Sequence, residues 1–148
     1  MVAQLLFFLS NNIYMRKLYI GGKAEFNETI KEIKNKGELW LVGTDQRDGA
    51  DKYFELHGIQ VYKQNVYYAV NPKVYELGLP INNSLSAMVL HAYLLGYKDI
   101  EIIGAPMCDC SEYLEQKPAF AFVLGWLSGK GLKITWRDAP LNTNYGKH

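Results

Sequence analysis

The chain has 148 residues, of which 49% are hydrophobic and 21% are charged, so we expect one soluble folded domain and not a disordered chain. The formal net charge of +1 argues against a general attraction to nucleic acid polymers or to anionic membranes. The chain is rich in aromatic residues, with 11 Tyr, 6 Phe and 3 Trp. We expect some of these rings to line a pocket or a contact between subunits.

The cysteines and the N-terminal segment indicate the cellular compartment to expect. Cys108 and Cys110 alternate in "MCDC", which does not suit a disulfide framework and predicts a reduced, cytoplasmic setting. The apolar stretch 2–9 is too short to span a bilayer and is poor as a secretory signal. Residues 1–14 are interpreted as an extension, either an added strand, a contact segment or an upstream start, and residues 15–148 as a single domain.

In the first half of the chain, short apolar runs alternate with amphipathic ones. The runs at 17–22 and 38–44 predict strands, and Phe26, Ile30 and Ile33 stand at helical spacing in 26–37. A second helix is predicted over 48–58, because Ala50, Tyr53, Phe54 and His57 fall on one helical stripe. The remaining predictions are strands at 59–64 and 65–70 and a turn with a short helix at 71–78.

The second half gives clearer signals. The apolar run 85–95 predicts a helix that is buried on most sides, with Ser84 as its N-cap and Gly96 as its end. A strand follows at 99–105. Pro118 is expected in the first turn of the next helix, which Gly129 and Gly131 close. The strand 132–136 comes last, and the polar tail is expected to be a loop.

This order of elements predicts an α/β fold, with helices on both faces of a mostly parallel sheet in a three-layer αβα sandwich. Ligands of such sheets bind beyond the carboxyl ends of the strands. Several polar or glycine-rich turns fall at those positions. We therefore expect them to converge on one edge of the sheet.

The first candidate is the turn "GGK". Gly21 and Gly22 let backbone N–H groups approach an anion, and Lys23 adds a positive charge. The turn is neither the dinucleotide fingerprint nor a P-loop, and a plain tight turn explains it about as well.

The second candidate follows the strand at 38–44. Thr44 and Asp45 come directly after this buried run, where a carboxylate suits a ribose or sugar hydroxyl. Asp45 alternatively caps the next turn. Arg47 is a candidate partner for a phosphate.

The third candidate is the start of the buried helix. The amide of Asn83 and the hydroxyl of Ser84 suit a phosphate, a carboxylate or a base edge, alongside a role as a helix cap. His57 is a candidate acid or base, although a packed histidine near a helix end is the commoner case. His91 is interpreted as a satisfied core histidine.

Other chemistry is weakly signalled. "CDC" lacks the paired ligands of a structural zinc site, so no metal is assigned. That segment is interpreted either as the site of a reactive thiol or as a plain loop, and the loop is favoured. No nucleophile elbow, serine–histidine–aspartate order or kinase signature is present.

Taken together, these segments resemble a known family. "ELWLVGTD…DKYFELHG" is similar to the pattern E-x-W-x-x-N…R-W-F-E-x-H of small phage-encoded Rossmann-like proteins. "NNSLSAM", "GYKDIEIIG" and "EYLEQKP" resemble that family's serine-rich helix start, its GY-x-x-I-x-I-x-G strand and its E-Y-x-x-Q-R-P segment. The resemblance runs from about Lys17 to Trp136. Its fold is similar to the nucleotide-sugar site of the sialyltransferase and MptE-like group.

The resemblance implies a Rossmann-like fold and a set of ligand-contacting positions. Asp45 stands where the pattern has Asn, and Ala105 and Pro106 stand where relatives have an acidic residue. Both departures, and the small size of the chain, point away from a transferase. The implied positions are Gly21, Gly22, Asp45, His57, Ser84, Gly104, Glu112 and Gln116.

Three functions are weighed. The preferred one is non-catalytic binding of a nucleotide-derived ligand at the strand ends, by which a phage protein would sequester a host nucleotide immune signal. The second is an enzyme acting on a nucleotide sugar or cyclic nucleotide, with His57 as acid or base and with Asp45 and Ser84 positioning the substrate. The third is a structural protein whose aromatic residues and N-terminal segment form a homo-oligomer. We expect no cofactor and no partnership with a nucleic acid polymer or a membrane. We do expect a homo-oligomer.

Overall fold

Six parallel strands form one sheet in a computed structural model, which describes residues 15–56, 67–107 and 111–137. Every strand pairing within it is parallel, which confirms the expected α/β fold. The spatial order is β4-β3-β2-β1-β5-β6. The strands are β1 (Lys17–Gly21), β2 (Gly37–Val42), β3 (Lys52–Glu55), β4 (Tyr67–Ala69), β5 (Asp99–Ile103) and β6 (Lys133–Trp136).

Three α-helices and one 3-10 helix accompany the sheet in the described ranges. They are α1 (Ile30–Lys36), the 3-10 helix (Pro72–Leu77), α2 (Ser84–Leu95) and α3 (Tyr113–Gly129). Thr29 and Glu32 form a reciprocal capping box at the start of α1, which satisfies two otherwise unpaired N–H groups. Gly96 ends α2 in the left-handed conformation, with a φ of 101°. No helix in these ranges is long and apolar enough to cross a membrane.

The side chains of each strand alternate between two apolar layers. One layer lies under α2 and α3, and the other lies under α1, as right-handed crossovers require. The first contains Leu18, Ile20, Trp40, Phe54, Ile100 and Ile102. The second contains Tyr19, Ile33, Leu39, Leu41, Tyr53 and Ile103.

The predicted helix over 48–58 was wrong, because β3 occupies part of that segment. Tyr53 and Phe54 point to opposite faces of the sheet, and the Phe54 ring lies 4.8 Å from that of Trp40. A helix would have placed both rings on one side. Aromatic residues fit a pleated strand that is covered on both faces. The predicted strand 59–64 and His57 lie outside the described residues.

Two helix starts also differ from the prediction. Asn83, and not Ser84, is the N-cap of α2, because the Asn83 side-chain oxygen accepts a hydrogen bond from the Ser86 N–H at 2.9 Å. Pro118 lies inside α3 instead of in its first turn, since the helix begins at Tyr113. The other predicted elements in the described ranges are confirmed within a few residues, including the short helix after β4.

The chain changes direction across the sheet at its centre. From β1 it builds outwards through β2, β3 and β4, and it then returns to place β5 on the other side of β1. Loops that leave β1 and β5 therefore diverge onto opposite faces. In open parallel sheets this reversal opens a crevice at the carboxyl ends of the two strands.

His91 connects α2 to the segment after β4. The Asn71 N–H donates a hydrogen bond of 3.0 Å to His91 Nδ1, and the ring lies 5.2 Å from that of Phe54. Burial, and then the nearby charge of Lys52, lower the pKa of His91 from its ordinary 6.5. The folded chain therefore holds this imidazole in the neutral form.

Acidification should weaken the fold through this histidine. The unfolded chain takes up the His91 proton near pH 6.5, while the folded chain resists it, so the contribution is complete above pH 6.5 and falls as the pH drops through the lower folded pKa. We expect wild-type stability in urea to decline more between about pH 7.5 and 5 than that of His91→Asn, which keeps an acceptor but cannot titrate. Equal declines in the two proteins would contradict this assignment.

Candidate functional site

The crevice between β1 and β5 is closed at its base by the backbone itself. The Gly22 N–H donates to the Ile103 carbonyl oxygen at 2.8 Å, and the Ala24 N–H donates to the Gly104 carbonyl oxygen at 3.0 Å. These bonds continue the strand pairing beyond the sheet. They also occupy N–H groups that the "GGK" turn was expected to offer to an anion.

Glycine is required here because the two strand ends touch. A Cβ added to Gly22 would lie 2.3 Å from the Gly104 carbonyl oxygen. Gly104 has a φ of 63°, and a Cβ there would lie 2.5 Å from the Ala24 carbonyl oxygen. A Cβ on Gly21 would lie 2.5 Å from Leu41 Cδ2. The three predicted glycines therefore permit close packing, and Lys23 next to them is exposed.

Arg47 ties the loop after β2 to the loop after β1. Its Nε donates to Asp45 Oδ1 at 3.0 Å, its NH1 donates to the Ala24 carbonyl oxygen at 3.1 Å, and its NH2 donates to the Gly22 carbonyl oxygen. The guanidinium also lies 4.1 Å from the centre of the Phe26 ring. The side chain is engaged with the chain's own groups, whereas the sequence suggested a phosphate partner.

Asp45 is the other half of this connection. It is 6% exposed and also accepts the Arg47 backbone N–H at 2.9 Å. A buried carboxylate needs such donors to offset its lost hydration. Thr44 beside it is half-buried. Asp45 and Arg47 therefore build the rim of the crevice and position Phe26.

A cavity of about 200 Å³ opens above these loops at the sheet reversal. Its wall comes from three separate parts of the chain and combines a loop backbone, one aromatic ring and two charged side chains. The lining residues are Ala24, Glu25, Phe26, Asn27, Ile103, Gly104, Pro106 and Arg137.

Ion pairs connect the cavity wall to the buried Glu101 of β5. Arg137 NH1 donates to Glu28 Oε1 at 2.6 Å, and Arg137 NH2 pairs with Glu101 Oε2. Lys36 binds Glu28 at 2.7 Å, and Lys17 binds Glu101 at 2.8 Å. We call these five side chains the ionic cluster. It contains three cations and two carboxylates.

Within the cluster, the pKa values of Lys17, Glu28, Lys36 and Arg137 are shifted towards the charged forms. The hydrogen bond from Lys36, and to a smaller extent the one from Arg137, lower the pKa of Glu28. The hydrogen bond to Glu101 raises the pKa of Lys17. Burial opposes the charge of Arg137, but its bonds to Glu101 and Glu28 outweigh that effect and raise its pKa. Arg137 is thus a permanent cation held in a fixed direction at the cavity.

The remaining predicted residues lie at other places. Asn83 caps α2 and donates to the Asn82 side chain at 3.1 Å, while Ser84 opens the helix. Glu112 is exposed just before α3, and Gln116 is half-buried in its first turns. Asn82 Nδ2 donates to the Glu115 carbonyl oxygen at 3.0 Å and joins these two helix starts. His57, Cys108 and Cys110 lie outside the described residues.

The structure thus brings Gly22, Asp45, Arg47 and Gly104 together, and of the predicted residues that the structure describes, Gly104 alone lines the cavity. Sequence reasoning missed its other walls. Arg137 directly follows the last strand, a signal that the strand-end rule could have used. Asn27 follows the glycine turn, and neither its type nor its spacing marks it.

The described wall of the cavity is poor in the side chains that commonly act as nucleophiles or metal ligands. The eight lining residues include no histidine, cysteine, serine or threonine. Within the described ranges, no group of three or more His, Cys, Asp or Glu side chains is placed to hold a metal ion.

Comparison of the chain with protein-family models, with curated proteins and with solved structures gives no match.

Gly22→Ala should destabilise the fold by about 2–4 kcal/mol, because its methyl group would overlap the Gly104 carbonyl oxygen. Gly78→Ala is the matched control, since Gly78 has a φ of 72° but nothing within 4 Å of an added Cβ. It should cost only about 1 kcal/mol, from the left-handed backbone alone. Urea unfolding measures both variants. A smaller loss for Gly22→Ala than for the control would show that the close approach is not required.

Arg47→Lys should cost about 2–3 kcal/mol, because a lysine cannot reach Asp45 and two carbonyl oxygens together. Arg16→Lys, at an exposed position, should stay within about 0.5 kcal/mol of wild type. The same unfolding measurement compares them. Equal stabilities would mean that the Arg47 connection does not support the fold.

Proposed function

We propose that the protein binds a small nucleotide-derived ligand at the cavity between the ends of β1 and β5 and holds it without converting it. The observation that carries this proposal is the position of the cavity at the sheet reversal with the Arg137 guanidinium in its wall. Parallel sheets bind phosphorylated ligands at this place, and arginine favours phosphate through paired N–H donors.

The size of the cavity limits what enters it. Pockets that enclose a whole ligand measure roughly 300–1,000 Å³. A cavity of about 200 Å³ accommodates one part of a nucleotide, and the remainder would lie along the loop of residues 24–27. We place the phosphate inside, because Arg137 is the cationic residue of the wall.

The hydrogen-bond donors of Arg137 support an anionic group. Of the five N–H groups of the Arg137 guanidinium, the ion pairs with Glu28 and Glu101 leave some able to donate to a ligand. The ionic cluster has one more cation than carboxylates, and Glu25 in the wall cancels this excess. A single phosphate fits this balanced charge better than a polyphosphate chain.

The side-chain inventory of the wall supports holding the ligand over converting it. Glu25 is the one carboxylic acid among the lining residues. These residues include no second carboxylic acid and no histidine that could act with it as an acid–base pair. In keeping with the sequence resemblance to small phage proteins, we propose that the biological role is sequestration of a nucleotide immune signal of a bacterial host.

Asn27→Trp should abolish binding, because the indole would fill the cavity while every residue of the ionic cluster stays unchanged. Asn35→Trp places the same side chain on the exposed face of α1 and should leave affinity unchanged within about 2-fold. Calorimetry against mono-, di- and cyclic nucleotides and ADP-ribose measures both variants. Wild-type protein that binds none of these at high micromolar ligand would refute the proposal.

Chromatography of the ligand recovered after denaturation separates holding from conversion. We expect the ligand to be recovered unchanged after prolonged incubation with wild-type protein. A chemically altered product would favour the alternative that the protein is an enzyme. His57, the candidate acid or base, would then be the next residue to substitute.

A further inference from the structure

The outward face of α3 is apolar where a helix facing water is normally charged. Leu114 is 67% exposed and Phe122 is 59% exposed. Only one of the eight exposed helix positions carries a charge. These positions are Leu114, Glu115, Pro118, Ala121, Phe122, Gly125, Ser128 and Gly129.

The short helix α1 provides an internal comparison. Its exposed positions are Lys31, Glu32, Asn35 and Lys36, so three of four carry a charge. Both helices cover the same sheet, on opposite faces. The two helices therefore differ in the composition of their exposed faces. The apolar face of α3 indicates a surface that another apolar surface covers.

Projecting side chains occupy the first half of this face, and glycines occupy the second half. Glu115, Pro118, Phe122, Gly125 and Gly129 succeed one another at steps of three and four residues, which places them in one stripe along the helix. Phe122 projects from the middle of the stripe. A Cβ added at Gly125 or Gly129 would meet nothing within 4 Å, so both glycines leave hollows open to the outside.

We infer that α3 pairs with α3 of a second copy of this chain, antiparallel, across a twofold axis between Phe122 and Gly125. In this arrangement the Phe122 ring lies over Gly125 of the partner subunit, and Pro118 lies opposite Gly129 of the partner subunit. Twofold symmetry repeats both contacts. A stripe that carries its own knob and its own hollow is self-complementary, as a twofold interface must be.

The charges at the two ends of the stripe select the antiparallel direction. Glu115 lies in the first turn of α3, and Lys130 follows the last turn. An antiparallel pair brings Glu115 near Lys130 of the partner subunit, twice, and also pairs opposite helix dipoles. A parallel pair would bring carboxylate to carboxylate and lysine to lysine. The end charges of the stripe are therefore complementary to those of a second copy in the antiparallel direction.

Sedimentation over a range of protein concentrations tests the dimer. Wild-type protein should sediment at twice the chain mass of 16.9 kDa. Phe122→Glu should weaken association by at least about 10-fold, as for loss of a central aromatic contact. Lys31→Glu on α1 is the control and should leave it unchanged. Phe122 is exposed, so the variant should keep the wild-type unfolding midpoint at a concentration where both are monomeric.

A charge exchange tests the register. Glu115→Lys and Lys130→Glu should each weaken the dimer by about 2- to 5-fold, and the double variant should recover wild-type affinity. A wild-type monomer at all concentrations would overturn the inference. So would a dimer that Phe122→Glu leaves intact, or a double variant that is weaker than either single one. None of these outcomes depends on ligand binding at the β1–β5 cavity.

Discussion

The close approach of the β1 and β5 ends is the constraint on which the rest of the structure depends. Because Gly22 and Gly104 carry no side chain, the two loops share backbone hydrogen bonds just beyond the sheet. This contact fixes where the chain reverses direction and therefore where the crevice opens. Loss of that contact would disturb the carboxyl end of the central strand pair, which both apolar layers cover.

Arg47 extends this constraint from two strands to three. One guanidinium reaches the carbonyl oxygens of the β1 loop and the buried Asp45 carboxylate of the β2 loop. It also covers one side of the Phe26 ring, whose edge lies near Gly104. The polar residues that the sequence placed at the strand ends thus largely hold the rim together. The surface left for a ligand is formed by their neighbours, above all Arg137 and Asn27.

The fold could be predicted from the sequence because its strongest signals are local. Continuous apolar runs, glycine stops and a buried helix identify β1, β2, α2 and β5 without knowledge of the rest. β3 was missed because Tyr53 and Phe54 satisfy helical and strand spacing equally in so short a stretch. The burial that decides between them comes from two different layers. The cavity was only partly predictable, because Arg137 enters its wall through ion pairs between distant parts of the chain.

The outer strands of the described sheet are both short: β4 has three residues and β6 has four. A strand at a sheet margin offers unpaired backbone groups to any extended chain it meets, and a long one seeds fibrous aggregation. Because β4 and β6 are so short, they present few unpaired backbone groups, and Lys133 adds a charge to β6. At high protein concentration, the described sheet therefore offers little template for growth by strand addition.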